Sequence, residues 1–72
     1  MNSQKNYKYR KISDFIPGDT VHRWGDDLEV ISVQYDGKYM LIVKDLEGHK
    51  RWLYSKDVEL LSKLREDEVT KN

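Results

Sequence analysis

Side chains that could carry out acid–base or metal chemistry are few and isolated in this 72-residue chain. His22 and His49 have no serine or cysteine nucleophile at a spacing that would pair it with either ring. The neighbouring carboxylates Asp26 and Asp27 offer fewer oxygen ligands than a hard cation usually collects, so a solvated turn explains them better. The chain has no cysteine, no glycine-rich phosphate loop and no zinc-ligand spacing. The sequence therefore predicts a protein that is not an enzyme and that uses no cofactor and no metal.

Nucleic-acid binding is a second chemistry, and the N-terminal segment suggests it. Cationic and aromatic residues alternate there, so cations would meet phosphates while rings stack on bases. The candidate residues are Lys5, Tyr7, Lys8, Tyr9, Arg10 and Lys11, joined by Arg51 from a later hairpin. The alternative is a solubilising arm that binds nothing.

Charge is unevenly distributed, although the net charge is zero. Residues 1–13 carry four bases and no acid, residues 14–61 carry six bases and ten acids, and residues 62–72 carry three of each. A mildly acidic central block argues against a generally basic nucleic-acid surface but leaves room for a local one. We predict a flexible basic arm over 1–13, one folded domain over 14–61 and a polar tail over 62–72.

Turn signals divide the central block into short strands. Glycine-containing turns at 17–19, 25–27, 36–38 and 46–48 separate runs that are rich in β-branched and aromatic residues. The predicted strands lie near 20–24, 28–35, 39–45 and 49–54. Beyond residue 54, either a tight turn over 55–57 leads into a short closing strand over 58–61, or Ser55 caps a helix with an apolar stripe. We favour the turn and closing strand, with a frayed or helical tail after them.

Hairpin geometry then sets which residues face each other. A two-residue type I′ turn at Asp36-Gly37 and a three-residue loop over 46–48 with a left-handed Gly48 fix the two registers. The predicted partners are Tyr35 with Lys38, Asp45 with His49, Leu41 with Leu53 and Ile42 with Trp52. A bulge at 32–33 would bring Val33 to the side of Leu28 and Val30.

This register places apolar side chains on both faces of the predicted sheet, and a small sheet usually buries only one. The second face suggests a protein-binding surface, because Trp and Tyr are favoured interface anchors. Its candidate residues are Met40, Ile42, Trp52 and Tyr54, with Trp24 as an outlying candidate. Two alternatives are open. In the first, this face is covered by other parts of the chain, either Phe15 and Ile16 or Leu60, Leu61 and Leu64. In the second, the face is self-complementary and forms a two-fold homodimer.

Four short elements resemble those of the Tudor, KOW and related SH3-like small barrels over roughly residues 15–61. They are Pro17-Gly18-Asp19-Thr20-Val21, the run over 28–33, the hairpin over 36–45 and the closing Asp57-Val58-Glu59-Leu60-Leu61. The resemblance implies an all-β fold with a five-stranded SH3-like barrel. Tudor domains that read methylated lysine or arginine hold the cation in an aromatic cage. Only Trp24 lies near a cage position here, so the resemblance does not imply that function.

Composition bounds the remaining predictions. A domain of this size buries only about 60% of the surface that its unfolded chain exposes, and no disulfide supports it. No segment reaches the roughly 18 apolar residues of a membrane span, so we expect a soluble, cytoplasmic protein with no membrane contact. Since the chain starts at Met1 and is compact, we expect a whole small gene product, such as an accessory protein or an inhibitor. The predicted function is protein binding through the second face, and the alternative is nucleic-acid binding through the basic arm.

Overall fold

Six antiparallel strands make up most of the structure, a computed structural model that describes residues 6–54 and 58–69. The strands are β1 (Tyr7–Arg10), β2 (Thr20–Arg23), β3 (Asp26–Tyr35), β4 (Tyr39–Lys44), β5 (Lys50–Tyr54) and β6 (Leu60–Lys63). Short 3-10 helices occupy Ile12–Asp14 and Glu66–Glu68. The prediction of an all-β fold is confirmed. Among the described residues, no helix is long and apolar enough to span a membrane.

The strands form a single open sheet in the order β1-β6-β2-β3-β4-β5. A barrel would require its two edge strands to pair with each other. Here β1 and β5 are the edges, and the sheet is not closed. The predicted five-stranded barrel is therefore replaced by a six-stranded open sheet.

Strand β1 comes from the basic segment that we expected to be a flexible arm. Its four residues pair antiparallel with β6, and the Leu64 amide extends the pairing with a 2.8 Å hydrogen bond to the Asn6 carbonyl. Arg10 is buried, whereas Tyr9 on the opposite face of the strand is exposed. A buried arginine leaves no apolar periodicity, so the sequence pattern could not reveal this strand. Residues 62 and 63, which we assigned to the polar tail, belong to β6.

The hairpin between β4 and β5 has the predicted register. The Asp45 amide donates to the His49 carbonyl at 2.9 Å, and Gly48 adopts a left-handed φ of 89°. The predicted pairings of Leu41 with Leu53 and of Ile42 with Trp52 are confirmed.

The hairpin between β3 and β4 has a longer loop than predicted. Tyr35 pairs with Tyr39 rather than with Lys38. A type I′ turn needs positive φ at both central residues, but Gly37 alone has it (74°) and Asp36 does not. The predicted pairing of Tyr35 with Lys38 was therefore wrong.

Strand β3 contains a bulge one residue earlier than predicted. Its register with β4 shifts between Val30 and Ser32, so Ile31 is the additional residue. The expected consequence holds, because Val33 packs against the core that contains Leu28 and Val30.

The hydrophobic core covers one face of the sheet and is joined by the segment between β1 and β2. Its members are Ile12, Phe15, Val21, Leu28, Val30, Leu41, Val43, Leu53 and Leu60. Truncating such a side chain to alanine costs about 2–5 kcal/mol. A domain of this size has only about 3–5 kcal/mol of net stability. Alanine variants in this core are therefore expected to unfold.

The closing strand forms two residues later than predicted. β6 begins at Leu60, which is buried in the core, and ends at Lys63. The predicted tight turn at 55–57 lies outside the described residues. After β6 the chain forms the 3-10 helix at Glu66–Glu68, whose side chains connect it to β1.

Candidate functional site

The face of the sheet opposite the core carries a cluster of large apolar side chains on strands β4 and β5. Ile42 pairs with Trp52, and Met40 pairs with Tyr54. Because cross-strand partners point to the same side of a sheet, all four side chains lie together. We call these residues the β4–β5 face: Met40, Ile42, Trp52 and Tyr54.

Exposure differs between the two strands of the β4–β5 face. On the edge strand, Trp52 is 52% exposed and Tyr54 is 57% exposed. On the inner strand, Met40 is half-buried and Ile42 is only 8% exposed. The two aromatic rings therefore form the accessible part of the face, and the aliphatic side chains lie beneath and beside them.

The segments that we considered as covers for this face lie elsewhere. Phe15 and Leu60 are in the core on the opposite side of the sheet. Ile16 is itself exposed, and it lines a hollow together with Leu64, in the segment that follows β6. Leu61 pairs with Tyr9 on β1 and with His22 on β2, and both β2 and β3 separate it from β4. In the described part of the chain, these residues leave Trp52 and Tyr54 open to solvent.

Lysine side chains surround the β4–β5 face. The Lys38 ammonium lies 4.8 Å from the centroid of the Tyr54 ring, a cation–π contact. Lys44 and Lys50 pair directly across β4 and β5, and both are exposed. Glu29 is the neighbour of Lys44 on β3, yet among residues 6–54 and 58–69 no carboxylate forms an ion pair with Lys44 or Lys50. The face is an aromatic centre with a basic rim.

Trp24 occupies a different position from the other predicted binding residues. It forms a two-residue turn with Gly25 between β2 and β3, and both residues have positive φ, 57° for Trp24 and 77° for Gly25. Our first predicted strand, over 20–24, had included Trp24, whereas β2 ends at Arg23. A left-handed backbone is strained for a bulky residue, and the ring is nevertheless 60% exposed. The Arg23 guanidinium lies 5.5 Å from its centroid.

A shallow hollow connects Trp24 to the β4–β5 loop. Trp24, Asp26, Leu28, Asp45 and Arg51 line it. Arg51 projects to the opposite side of β5 from Trp52, because successive residues of a strand alternate. The structure therefore separates Trp24 from the β4–β5 face and places it with Arg51, which we had assigned to the nucleic-acid alternative.

Two residues of the predicted basic arm, Lys8 and Arg10, contact the Glu68 carboxylate. Lys5 lies outside the described residues. Arg10 is buried, donates from Nε to Ser62 Oγ at 2.9 Å and from Nη1 to Glu68 Oε2 at 3.0 Å, and forms a further contact from Nη2 to Glu68 Oε1. Lys8 lies 3.6 Å from the same carboxylate. Hydrogen bonding from Arg10 lowers the pKa of Glu68 to about 2. Lys8, Tyr9 and Lys11 remain exposed.

A second ion pair fixes the chain after β6, and no sequence pattern predicted it. The Arg65 guanidinium donates to both carboxylate oxygens of Asp19, at 2.9 and 2.8 Å, and to the Asp14 carbonyl at 2.7 Å. Burial opposes ionisation of Asp19, but the hydrogen bonds from Arg65 and from the Ile16 amide lower its pKa overall. Asp19 and Arg65 are 46 positions apart, so no local pattern could have paired them.

His22, Asp27 and Tyr7 form a small polar cluster on strands β2, β3 and β1. His22 Nδ1 lies 2.8 Å from Asp27 Oδ1, and the Tyr7 hydroxyl donates to Asp27 Oδ2 at 3.2 Å. The hydrogen bond with His22 lowers the pKa of Asp27, while burial and the contact with Asp27 raise the pKa of Tyr7. No nucleophilic hydroxyl or thiol other than the tyrosine is in these contacts. The cluster joins three strands, and its hydrogen bonds account for the position of the Asp27 carboxylate without a bound cation.

The β4–β5 loop brings together Asp45, Glu47 and His49, whose potential ligand atoms lie within 4.8 Å of one another. The Asp45 carboxylate already accepts hydrogen bonds from the amides of Glu47 (3.0 Å) and His49 (2.8 Å). The His49 amide in particular lowers the pKa of Asp45. These hydrogen bonds stabilise the tight β4–β5 loop, and this role accounts for the proximity of the three side chains.

The chain was compared with protein-family models, with curated proteins and with solved structures, and none of them matches it.

Proposed function

We propose that this protein is a non-catalytic interaction module that binds a protein partner through the β4–β5 face. The observation that carries the proposal is the exposure of Trp52 and Tyr54 side by side on an edge strand. Tryptophan and tyrosine bury a large area at low entropic cost, and each keeps a polar group that can bind a partner. Met40 adds a half-buried apolar surface beside them, whereas Ile42, the cross-strand partner of Trp52, is only 8% exposed.

The strand order supports the proposal that the fold is a variant of the SH3-like small barrel. Strands β2 to β5 follow one another as a meander, and β6 returns to pair with β2. In this proposal, β1 is an addition beside β6, and the sheet remains open between β1 and β5. Such a fold hosts many functions, so the function has to be inferred from the face and not from the fold.

The test compares variants of exposed aromatic residues in affinity capture from an extract of the source organism. Trp52→Ala and Tyr54→Ala should lose a captured protein that the wild type retains. Tyr9→Ala is the matched control, because Tyr9 is an equally exposed aromatic residue on the distant strand β1. Circular dichroism and thermal unfolding must show that all three variants fold.

The outcomes of this test are distinct. Capture that is equal for the wild type and all variants would contradict the proposal. Unfolding of Trp52→Ala would identify Trp52 as a structural residue. Loss of capture with Tyr9→Ala alone would move the binding site to β1.

Nucleic-acid binding remains the alternative proposal, and it has less support. Arg10 is buried and shares the Glu68 carboxylate with Lys8, which leaves Lys8, Tyr9 and Lys11 as the exposed candidates among the described residues of this segment. Lys11→Glu should abolish binding of a single-stranded oligonucleotide if the alternative is correct. The affinity of the wild type should then fall steeply with salt.

A further inference from the structure

We propose that the partner of the β4–β5 face is an extended, acidic segment of another protein that adds as an antiparallel strand to the free edge of β5. This inference rests on the proposed function and specifies the partner's conformation and charge. It draws on the direction of the backbone groups of β5, on the side chains beside them and on the surrounding charges.

The hydrogen-bond register shows which backbone groups of β5 are free. In an antiparallel pair, hydrogen-bonded and non-hydrogen-bonded residue pairs alternate. The Asp45 amide bonds to the His49 carbonyl, so the next pair, Lys44 with Lys50, is non-hydrogen-bonded. Continuing this alternation, Arg51 and Leu53 bond to β4.

The remaining residues of β5 therefore direct their backbone groups away from β4. These residues are Lys50, Trp52 and Tyr54. No described strand lies on that side of β5, because β5 is the last strand of the sheet. Their N–H and C=O groups form a template that an added strand can satisfy.

The same residues carry the exposed side chains. Lys50, Trp52 and Tyr54 share one face of β5, since they alternate with Arg51 and Leu53. A strand paired with this edge places every second side chain beside the Trp52 and Tyr54 rings. The same three residues therefore offer an added strand both backbone hydrogen bonds and contact with aromatic rings.

The charges around the edge indicate an acidic occupant. Lys44 and Lys50 are like charges directly opposite each other, an unfavourable arrangement, and neither has a carboxylate partner among the described residues. Arg51 is a third cation, on the other side of β5, where it forms an ion pair with Asp45 at 3.4 Å. A carboxylate opposite Lys50 would relieve this repulsion.

A second copy of the chain fits this edge less well. Symmetric antiparallel pairing centred on Trp52 would place Lys50 of each copy opposite Tyr54 of the other. The Tyr54 ring already has Lys38 at 4.8 Å, so this pairing would bring two ammonium groups to one ring. A segment with carboxylates at those positions avoids the conflict.

The probe is the blocked peptide Ac-Thr-Val-Val-Glu-Glu-Thr-NH2. In antiparallel register, its first five residues lie in turn opposite Tyr54, Leu53, Trp52, Arg51 and Lys50. Binding is measured by NMR titration of the full-length protein, with amide hydrogen exchange recorded in the free and bound states. The control peptide replaces both glutamates with lysine.

Strand addition predicts an alternating exchange pattern. At nine-tenths occupancy, the amides of Lys50, Trp52 and Tyr54 should exchange about tenfold more slowly, because exchange then occurs from the unbound tenth. The amides of Arg51 and Leu53, which bond to β4, should change little. The lysine peptide should bind at least about tenfold more weakly because it places like charges together.

Two matched changes separate backbone pairing from side-chain contact. N-methylation of the second valine, opposite Trp52, removes a hydrogen bond to β5 and should weaken binding at least about tenfold. The amide nitrogen of the first valine, opposite Leu53, points away from β5, so its N-methylation should leave the affinity within about twofold. The Lys50→Glu substitution should weaken binding of the acidic peptide and strengthen binding of the lysine peptide.

Five results would overturn the inference. Binding without the alternating protection, or equal effects of the two N-methyl groups, would show contact with the face but no added strand. Equal binding of the acidic and lysine peptides would remove the charge preference. A dimer in sedimentation with the same amides protected in the absence of peptide would identify a second copy as the occupant. Absence of peptide binding at millimolar concentration would reject the acidic strand, while extract capture tests the proposed function independently.

Discussion

Replacing Lys50 with glutamate should stabilise the free protein, even though the residue lies on the proposed binding edge. Lys44 and Lys50 form a directly opposed pair of like charges on β4 and β5. A favourable cross-strand charge pair contributes about 0.2–1 kcal/mol, and a like-charge pair is destabilising. Lys50→Glu removes the repulsion and creates an attraction with Lys44, so we expect the free energy of unfolding to rise by about 0.5–1.5 kcal/mol.

Thermal unfolding measures this effect well in a small domain. A gain of 1 kcal/mol raises the Tm of a 60–100-residue domain by roughly 4–8 °C. Lys50→Gln is the matched control, because it removes the repulsion without adding an attraction and should give a smaller gain. At about 1 M salt the Debye length falls to about 3 Å, so the difference between the two variants should shrink.

Three results would refute this reasoning. Loss of stability in Lys50→Glu would show that the Lys44 and Lys50 charges do not repel in the folded state. A gain that is undiminished at high salt would point to a cause other than charge. Equal gains in the glutamate and glutamine variants would exclude the expected attraction with Lys44.

Three further predictions concern the contacts of Arg10 with Ser62 and Glu68 and the strained turn at Trp24. Ser62→Ala should lower the free energy of unfolding by about 1–3 kcal/mol, because it leaves the buried Arg10 Nε–H without an acceptor. In an Arg10→Met background the same change should cost less than about 0.5 kcal/mol, and urea unfolding of the double-mutant cycle tests this coupling. Since folding lowers the pKa of Glu68 from 4.5 to about 2, its stabilisation is complete above pH 4.5 and is lost as the pH falls towards 2. Tm values across that range should therefore decline less in Glu68→Gln than in the wild type. Trp24→Asn should raise stability in urea unfolding by about 0.5–1 kcal/mol, because Asn tolerates the left-handed conformation, and an unchanged stability would contradict strain at this turn.

The opposing demands on β5 explain why its edge carries lysine. An exposed edge strand invites unwanted pairing, and charged residues reduce that risk. Lys50 can serve this purpose in the free protein and also select an acidic strand as partner. The Lys50→Glu variant separates the effect of Lys50 on stability from its effect on partner choice, because the variant should be more stable and should bind the acidic peptide less tightly.

Local sequence was sufficient to predict the register of the β4–β5 hairpin, where the turn and the alternating pattern agree. The loop at 46–48 and the alternation on either side of it predicted the partners of Leu41 and Ile42, which the structure confirms. The same pattern placed Trp52 and Tyr54 on one face. The prediction at Asp36-Gly37 was wrong by one residue, because turn propensity alone does not fix loop length.

The sequence by itself determined the strand-forming segments between residues 20 and 54 and the division of their side chains into two faces, because both depend on neighbours within a few residues. Only the tertiary structure decided that residues 7–10 form a strand, that the sheet stays open and that Trp52 and Tyr54 are uncovered. Those features depend on how distant segments pack, and the strand at 7–10, for example, is connected to the chain after β6 by the contact of Arg10 with Glu68. Polar partners far apart in sequence leave no apolar periodicity, so their pairing is visible only once the chain is folded.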